Sequence, residues 1–199
     1  DLRNFFPSIR SPRVAESIAE LDQPAGDVET IIGLVTRRGR LPQGAPTSPH
    51  LANLVARRLD LRLAGLARNG GWTYTRYADD LTFSGNGDPQ RLLGAVEKIV
   101  RDEGFRQAEG KTHLMSRHQR QVVTGLVVND RVSLPKPRRR LLRAMLHRLQ
   151  TAGPDAVDLR QFQVVHGHLA LAKFVNPDGF AAECRELARL IRSASTPRE

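Results

Sequence analysis

Cysteine is almost missing from this chain of 199 residues: Cys184 stands alone, so no intrachain disulfide can form, as suits a reducing cytoplasm. Cys184 falls in a helix-like apolar pattern, where a small packed hydrophobe is the expected role rather than a nucleophile. No apolar run approaches the roughly 20 residues that span a bilayer, which argues against a membrane partner. No signal peptide, internal repeat or low-complexity tract is visible either. Acids are few beside bases, 21 Asp and Glu against 31 Lys and Arg, giving a net charge of +10 and a pI near 11.0. That balance is the electrostatic signature of a nucleic-acid binder whose affinity falls steeply with salt. Lysine itself is rare: of the 31 basic residues only Lys98, Lys111, Lys136 and Lys173 are lysines, so each stands against a strong preference for arginine.

What is present centres on Tyr77-Ala78-Asp79-Asp80. The flanks Trp72-Thr73-Tyr74-Thr75-Arg76-Tyr77 and Leu81-Thr82-Phe83-Ser84 read as short strands, so a tight hairpin would present both carboxylates at its tip. Alone, an Asp pair in a turn is unremarkable, since Asp favours turns for local reasons. Its company changes that. The chain opens on Asp1-Leu2-Arg3-Asn4-Phe5-Phe6-Pro7-Ser8-Ile9, expected as a strand stopped by Pro7 and headed by a third acid. Between them Leu41-Pro42-Gln43-Gly44-Ala45-Pro46-Thr47-Ser48-Pro49 reads as a stiff loop opening a helix over 51–67, which Asn69-Gly70-Gly71 ends.

Around these blocks the spacing predicts helices over 13–21, 28–38 and 89–103, with Pro89 in a first turn and Gly104 as a stop, and short strands over 105–115 and 121–129. A break lies between the first two helices, over 22–27. Composition shifts at Pro135-Lys136-Pro137-Arg138-Arg139-Arg140; beyond it three helices are expected over 138–151, 159–174 and 179–193. Gly153-Pro154 and Asn176-Pro177 should separate them, and a polar tail should follow Ser193. His166 and His168, two apart on a helix, would diverge rather than share a metal.

An acid, a Gln-Gly loop opening a helix and an Asp pair on a hairpin, in this order, resemble the palm of reverse transcriptases. Asp-Leu-x-x-Phe-Phe-Pro-Ser-Ile, Leu-Pro-Gln-Gly-Ala-Pro-Thr-Ser-Pro, Tyr74 to Thr82, and Val123-Thr124-Gly125-Leu126 together resemble the bacterial retron branch, and Gly167-His168-Leu169 with Asn176-Pro177 is similar to its thumb. The resemblance implies an α+β fold: a right-hand polymerase palm, an antiparallel sheet with packed helices and partial fingers elements, over 1–134, then a small helical thumb over 135–199. A chain opening on Asp1 is expected to lack most of the fingers.

The resemblance also implies the site. Asp1 and Asp79 would bridge two Mg2+ ions, with Mn2+ as the alternative, Asp80 less directly engaged and the Leu2 carbonyl a further ligand. Phe6 would sit beneath the sugar of the incoming nucleotide and clash with a 2′-hydroxyl, while Phe5 belongs to the core; Gln43 and Gly44 would contact nucleotide and template. Lys111 would be the general acid toward departing pyrophosphate, a role open to ammonium and closed to guanidinium. Retrons often carry Asn three residues before that lysine, and here stands Ala108. Val123, Thr124 and Gly125 would lie in or near the primer-grip hairpin, and Arg138, Arg139 and Arg140 would contact the duplex backbone.

The implied activity is RNA-directed DNA polymerisation of the retron type in the bacterial cytoplasm. Its partners would be dNTPs, a structured noncoding RNA as template and primer, an RNA–DNA duplex, and a defence effector protein. The alternatives are another bacterial reverse transcriptase, of the group II intron or diversity-generating type, and a catalytically inactive RNA-binding remnant.

Overall fold

The longest element explains the arrangement of the rest. In the computed structural model, which describes residues 1–21, 24–151 and 159–195, helix α4 runs over Ser48–Asn69. Pro49 occupies its first turn, where a missing N–H is harmless. Ala52, Val55, Ala56, Leu59, Leu63 and Ala67 recur at three- and four-residue spacing and are all buried. Gly70 and Gly71 end it, Gly71 with φ 71. The antiparallel hairpin of β1 (Trp72–Tyr77) and β2 (Asp80–Gly85) packs back on α4.

Before α4 come a single turn α1 (Phe5–Ser8), α2 (Ser11–Ala19) and α3 (Ala25–Val35); after the hairpin comes α5 (Pro89–Asp102). The Asp88 side chain caps α5 by accepting from the Gln90 N–H at 2.9 Å. Leu92, Val96 and Val100 of α5, Val14 and Ile18 of α2, and Phe5, Ile9 and Phe105 join α4 in one apolar cluster. Two arginines lie on its aromatic rings, Arg13 over Phe105 at 4.6 Å and Arg76 over Phe5 at 5.6 Å.

The chain divides into two compact units, Asp1–Leu114 and Met115–Glu199. The second holds the two-residue strands β3 (Val122–Val123) and β4 (Leu126–Val127), then α6 (Lys136–Thr151), α7 (Leu159–Val175), a 3-10 turn Asp178–Phe180 and α8 (Ala181–Ser195). Its core joins Leu142, Leu146 and Leu149 to Phe162, Val165 and Leu169, with Phe180 and Leu187; Cys184 packs half-buried against them. This is an α+β chain of helices with small antiparallel sheets. No helix among the described residues is long and apolar enough to cross a membrane.

Two strand expectations are corrected. Over 1–9 only Leu2 pairs in strand fashion, with Gln107; Asn4 turns left-handed at φ 49 and Phe5–Ser8 is helical. Asn tolerates that conformation, and Pro7 fits a first helical turn, so the segment bends where its apolar residues suggested extension. Over 105–115 only Gln107 pairs, because 106–111 lacks β-branched residues and Gly110 adopts φ 71. The last helix begins at Ala181, after the 3-10 turn that takes Gly179. Gly153-Pro154, residues 22–23 of the break over 22–27, and the tail beyond 195 lie outside the described residues.

Candidate active site

The β1–β2 hairpin turns in two residues: Tyr77 faces Asp80 across the ladder, leaving Ala78 and Asp79 as the corner. Ala78 adopts φ 51. A left-handed φ at the first corner residue alone has the sense of a II′ turn, whose twist suits a hairpin, but it costs a residue with a Cβ roughly 1 kcal/mol.

Arg76 holds that corner. Its Nη1 donates to the Ala78 carbonyl at 3.1 Å and to Asn53 Oδ1 at 3.0 Å. Its Nε and Nη2 grip both oxygens of Asp60 at 2.8 and 2.6 Å, and the Tyr74 hydroxyl donates to Asp60 Oδ1 at 2.8 Å. The Arg76 side chain is only 6% exposed, so the bidentate pair works in a protected setting. The hydrogen bonds to Asp60 raise the Arg76 pKa above its ordinary value. Burial, then the bond to Asp60, pushes the Tyr74 phenol up.

Main-chain bonds bring the opening segment to the same corner. The Leu2 N–H donates to the Asp79 carbonyl at 2.8 Å, the Ala108 N–H to the Asp1 carbonyl at 2.8 Å, and the Arg3 N–H to the Arg106 carbonyl at 2.7 Å. Asp1 and Asp79 therefore lie on adjacent backbone. Ala108 makes its contact through the backbone, so the departure from Asn leaves that bond in place.

A cleft of about 510 Å³ opens here, lined among others by Leu2, Phe6, Gln43, Asp79, Glu109 and Lys111. Phe5 is 3% exposed in the core while its neighbour Phe6, ring centroids 5.3 Å away, turns a half-buried ring to the cleft. Lys111 Nζ stands 3.4 Å from Asp1 Oδ2. Lys98, by contrast, is exposed on α5. Asp80 starts β2, half-buried and outside the cleft wall. Gly44, next to Gln43, takes φ 89, a conformation that favours glycine. The loop it sits in is tied down where buried Ser48 donates its hydroxyl to the Pro42 carbonyl at 2.6 Å.

Among the described residues no three His, Cys, Asp or Glu side chains gather into a preformed metal cage. Asp79 lines the open cleft and Asp1 lies on the adjoining segment, an arrangement that still suits magnesium, which takes one or two carboxylates and completes its shell with water and substrate phosphates.

The remaining expected residues lie in the second unit. Thr124 and Gly125 form the corner between β3 and β4, both left-handed at φ 47 and 81, the conformation of a type I′ hairpin, with Val123 paired to Leu126. Arg138, Arg139 and Arg140 are exposed in the first turns of α6 and form no ion pair among the described residues.

Sequence reasoning overlooked Arg76, Asp60, Asn53 and Glu109. A signal existed for the first two: alternation in β1 puts Arg76 on the inward face with Trp72 and Tyr74, and Asp60 is the sole acid in α4.

The family described as reverse transcriptase (RNA-dependent DNA polymerase) matches residues 1–128. The chain is 40% identical to the retron Mx65 reverse transcriptase of Myxococcus xanthus, over 89% of this chain and 46% of that protein. It is 34% identical to the retron Mx162 reverse transcriptase of the same organism, over 94% and 46%, and 33% identical to the retron Ec86 reverse transcriptase of Escherichia coli, over 75% and 48%. The chain thus spans about half the length of the curated relatives it matches. Its opening acid, its Gln-Gly loop and its Asp-Asp hairpin all fall inside the matched span, and this chain belongs to the reverse transcriptase family.

Proposed function

We propose that this chain carries the nucleotidyl-transfer centre of a retron-type RNA-directed DNA polymerase, one that copies a structured noncoding RNA into DNA in the bacterial cytoplasm. The observation that carries the reading is the Leu2 N–H to Asp79 carbonyl bond, which sets Asp1 beside a hairpin corner whose Asp79 lines a cleft with Phe6, Gln43 and Lys111. In this reading the first unit is the palm and the helices of the second unit are the thumb.

Asp1 and Asp79 would hold Mg2+, with the Leu2 carbonyl and Asp80 in support; the ions, when bound, would activate the primer hydroxyl and neutralise the leaving pyrophosphate. The chain's own residues do the rest. The Phe6 ring occupies the space a 2′-hydroxyl would need, so deoxynucleotides are accepted by exclusion of ribonucleotides. Gln43 orients the nucleotide from the opposite wall, and Gly44 lets the template approach closely because it has no side chain. Lys111 holds a proton within the cleft for the departing pyrophosphate, and its closeness to Asp1 keeps the ammonium in place. The Val123-Thr124-Gly125 corner supports the primer, and the arginines at the start of α6 contact duplex phosphates.

The test uses the complete parent protein, expressed with its flanking DNA, beside an Asp79→Asn version. Wild type should yield a discrete RNA-linked DNA and extend a primer on RNA. Asp79→Asn should lose far more than the roughly 100-fold that a merely supporting residue of a metal site costs. Undiminished synthesis by Asp79→Asn would sink the assignment.

A further inference from the structure

A second cleft, of about 330 Å³, shares Arg3, Asn4 and Pro7 with the catalytic cleft and is otherwise lined by Ser8, Arg40, Gly104 and Arg106. Its chemistry is one-sided: three guanidinium groups, an amide and a hydroxyl, with no carboxylate in its wall among the described residues. Some arginines of the first unit have acidic partners, as Arg58, Arg62, Arg76 and Arg101 do. Arg3, Arg40 and Arg106, all exposed, have none among the described residues, although bringing like charges together is unfavourable unless an anion joins them.

The main chain that carries the three exposed arginines is tied together, and one of the side chains is anchored. Arg40 closes a tight turn with Arg37, its N–H donating to the Arg37 carbonyl at 3.2 Å and its carbonyl accepting from the Arg37 N–H at 2.9 Å. Its Nη1 donates to the Pro7 carbonyl at 2.7 Å, which leaves the other donors of its fork available. Arg3 and Arg106 are joined through their backbones at 2.7 Å. Arginine forks match tetrahedral phosphate oxygens, bidentate and charge-assisted.

We infer that the Arg3–Arg40–Arg106 cleft is a second phosphate subsite, contiguous with the catalytic cleft, that receives pyrophosphate as it leaves the reaction. The inference rests on the polymerase reading for its ligand, and Arg3, common to both walls, is the point of transfer between them. The size favours a small polyphosphate: the cleft is smaller than its neighbour, and its wall carries no aromatic ring on which a base would stack.

The test is equilibrium binding of inorganic pyrophosphate to the full parent chain by calorimetry, at low salt and with a chelator present, so that neither catalysis nor metal enters. Arg40→Gln and Arg106→Gln should each weaken binding about tenfold, the loss expected for a charge-assisted contact. Arg91→Gln, an exposed position lining neither cleft, should change it less than about twofold. Arg40→Lys should recover part of the loss, and thermal melts should show all four variants folded. The inference fails if wild type binds no pyrophosphate, or if Arg91→Gln weakens binding as much as the cleft variants. It fails too if the cleft variants keep pyrophosphate and lose affinity for a short RNA strand instead, which would make the occupant a nucleic-acid backbone. Pyrophosphate binding that depends on Arg40 and Arg106 in a protein without RNA-templated synthesis would uphold the anion subsite and reject the polymerase reading.

Discussion

The two units spend the same residue, arginine, in opposite ways. In the first, beside exposed arginines such as Arg3, Arg40 and Arg106, a set reaches inward or pairs: Arg76 is buried on Asp60 beneath the hairpin corner, Arg62 bridges Asp102 and Glu103, and Arg13 lies on Phe105. In the second, the core cluster is apolar, and the ion pairs of Arg143 with Glu183 and of Arg189 with Glu186 both leave the arginine well exposed. Inside, a guanidinium fixes geometry; on the surface it supplies field. A net charge of +10 cannot tell these apart, because the difference lies in whether a carboxylate is folded against the fork.

Arg76→Met is the strongest way to break the comparison. It strands Asp60 with only Tyr74, and unfolding in denaturant should show a loss of about 2–3 kcal/mol, below the 3–5 of a fully buried pair because the Asp60 side chain keeps 33% of its exposure. Adding Asp60→Leu should return part of it; a variant as stable as wild type would mean the pair fixes nothing. Replacing Arg138, Arg139 and Arg140 by Gln should leave stability within about 0.5 kcal/mol. The same change should weaken RNA–DNA duplex binding about tenfold and flatten its salt dependence by about one unit for each phosphate contact removed. Loss of folding instead would place these residues with the inward class.

Tyr74→Phe sharpens the comparison through pH. The folded pKa of Tyr74 is raised, so the contribution of its bond to Asp60 is fully present below the ordinary tyrosine value of 10.0 and is lost as pH rises beyond it, where the unfolded chain gives up a proton that the folded one keeps. The Phe variant should be less stable by about 1 kcal/mol at neutral pH and decline less above pH 10. An unchanged alkaline decline would remove Tyr74 from the network. The smallest effect belongs to the second unit: Thr124→Gly relieves a β-branched residue at φ 47 and should raise the melting temperature slightly, a gain under about 1 kcal/mol. A lower melting temperature would show that the threonine side chain supports the hairpin.

Much of this was legible because it was local. The α4 periodicity, the capped start of α5, the hairpin around Asp79 and the helices of the second unit all follow from residues close in sequence. Phe5 is buried in the core as expected, and Phe6 is half-buried at the cleft that both rings line. The opening strand misled because apolar content outweighed what Asn4 and Pro7 could do, namely turn left-handed and begin a helix. The Arg76–Asp60 pair stayed hidden for another reason. Its partners sit on different elements, and only the inward register of β1 hinted that a charge required one.

The bond from Leu2 to Asp79, and those from 106–108 back to 1–3, join stretches far apart in the chain. During synthesis the first acid leaves the ribosome long before its neighbours exist. It waits unpaired until the hairpin, α5 and the segment behind it have followed, so the centre is among the last features of this unit to close. A chain interrupted between residues 70 and 108 can keep its longest helix and still hold no site, which makes an assembled centre a sign that synthesis has passed residue 108.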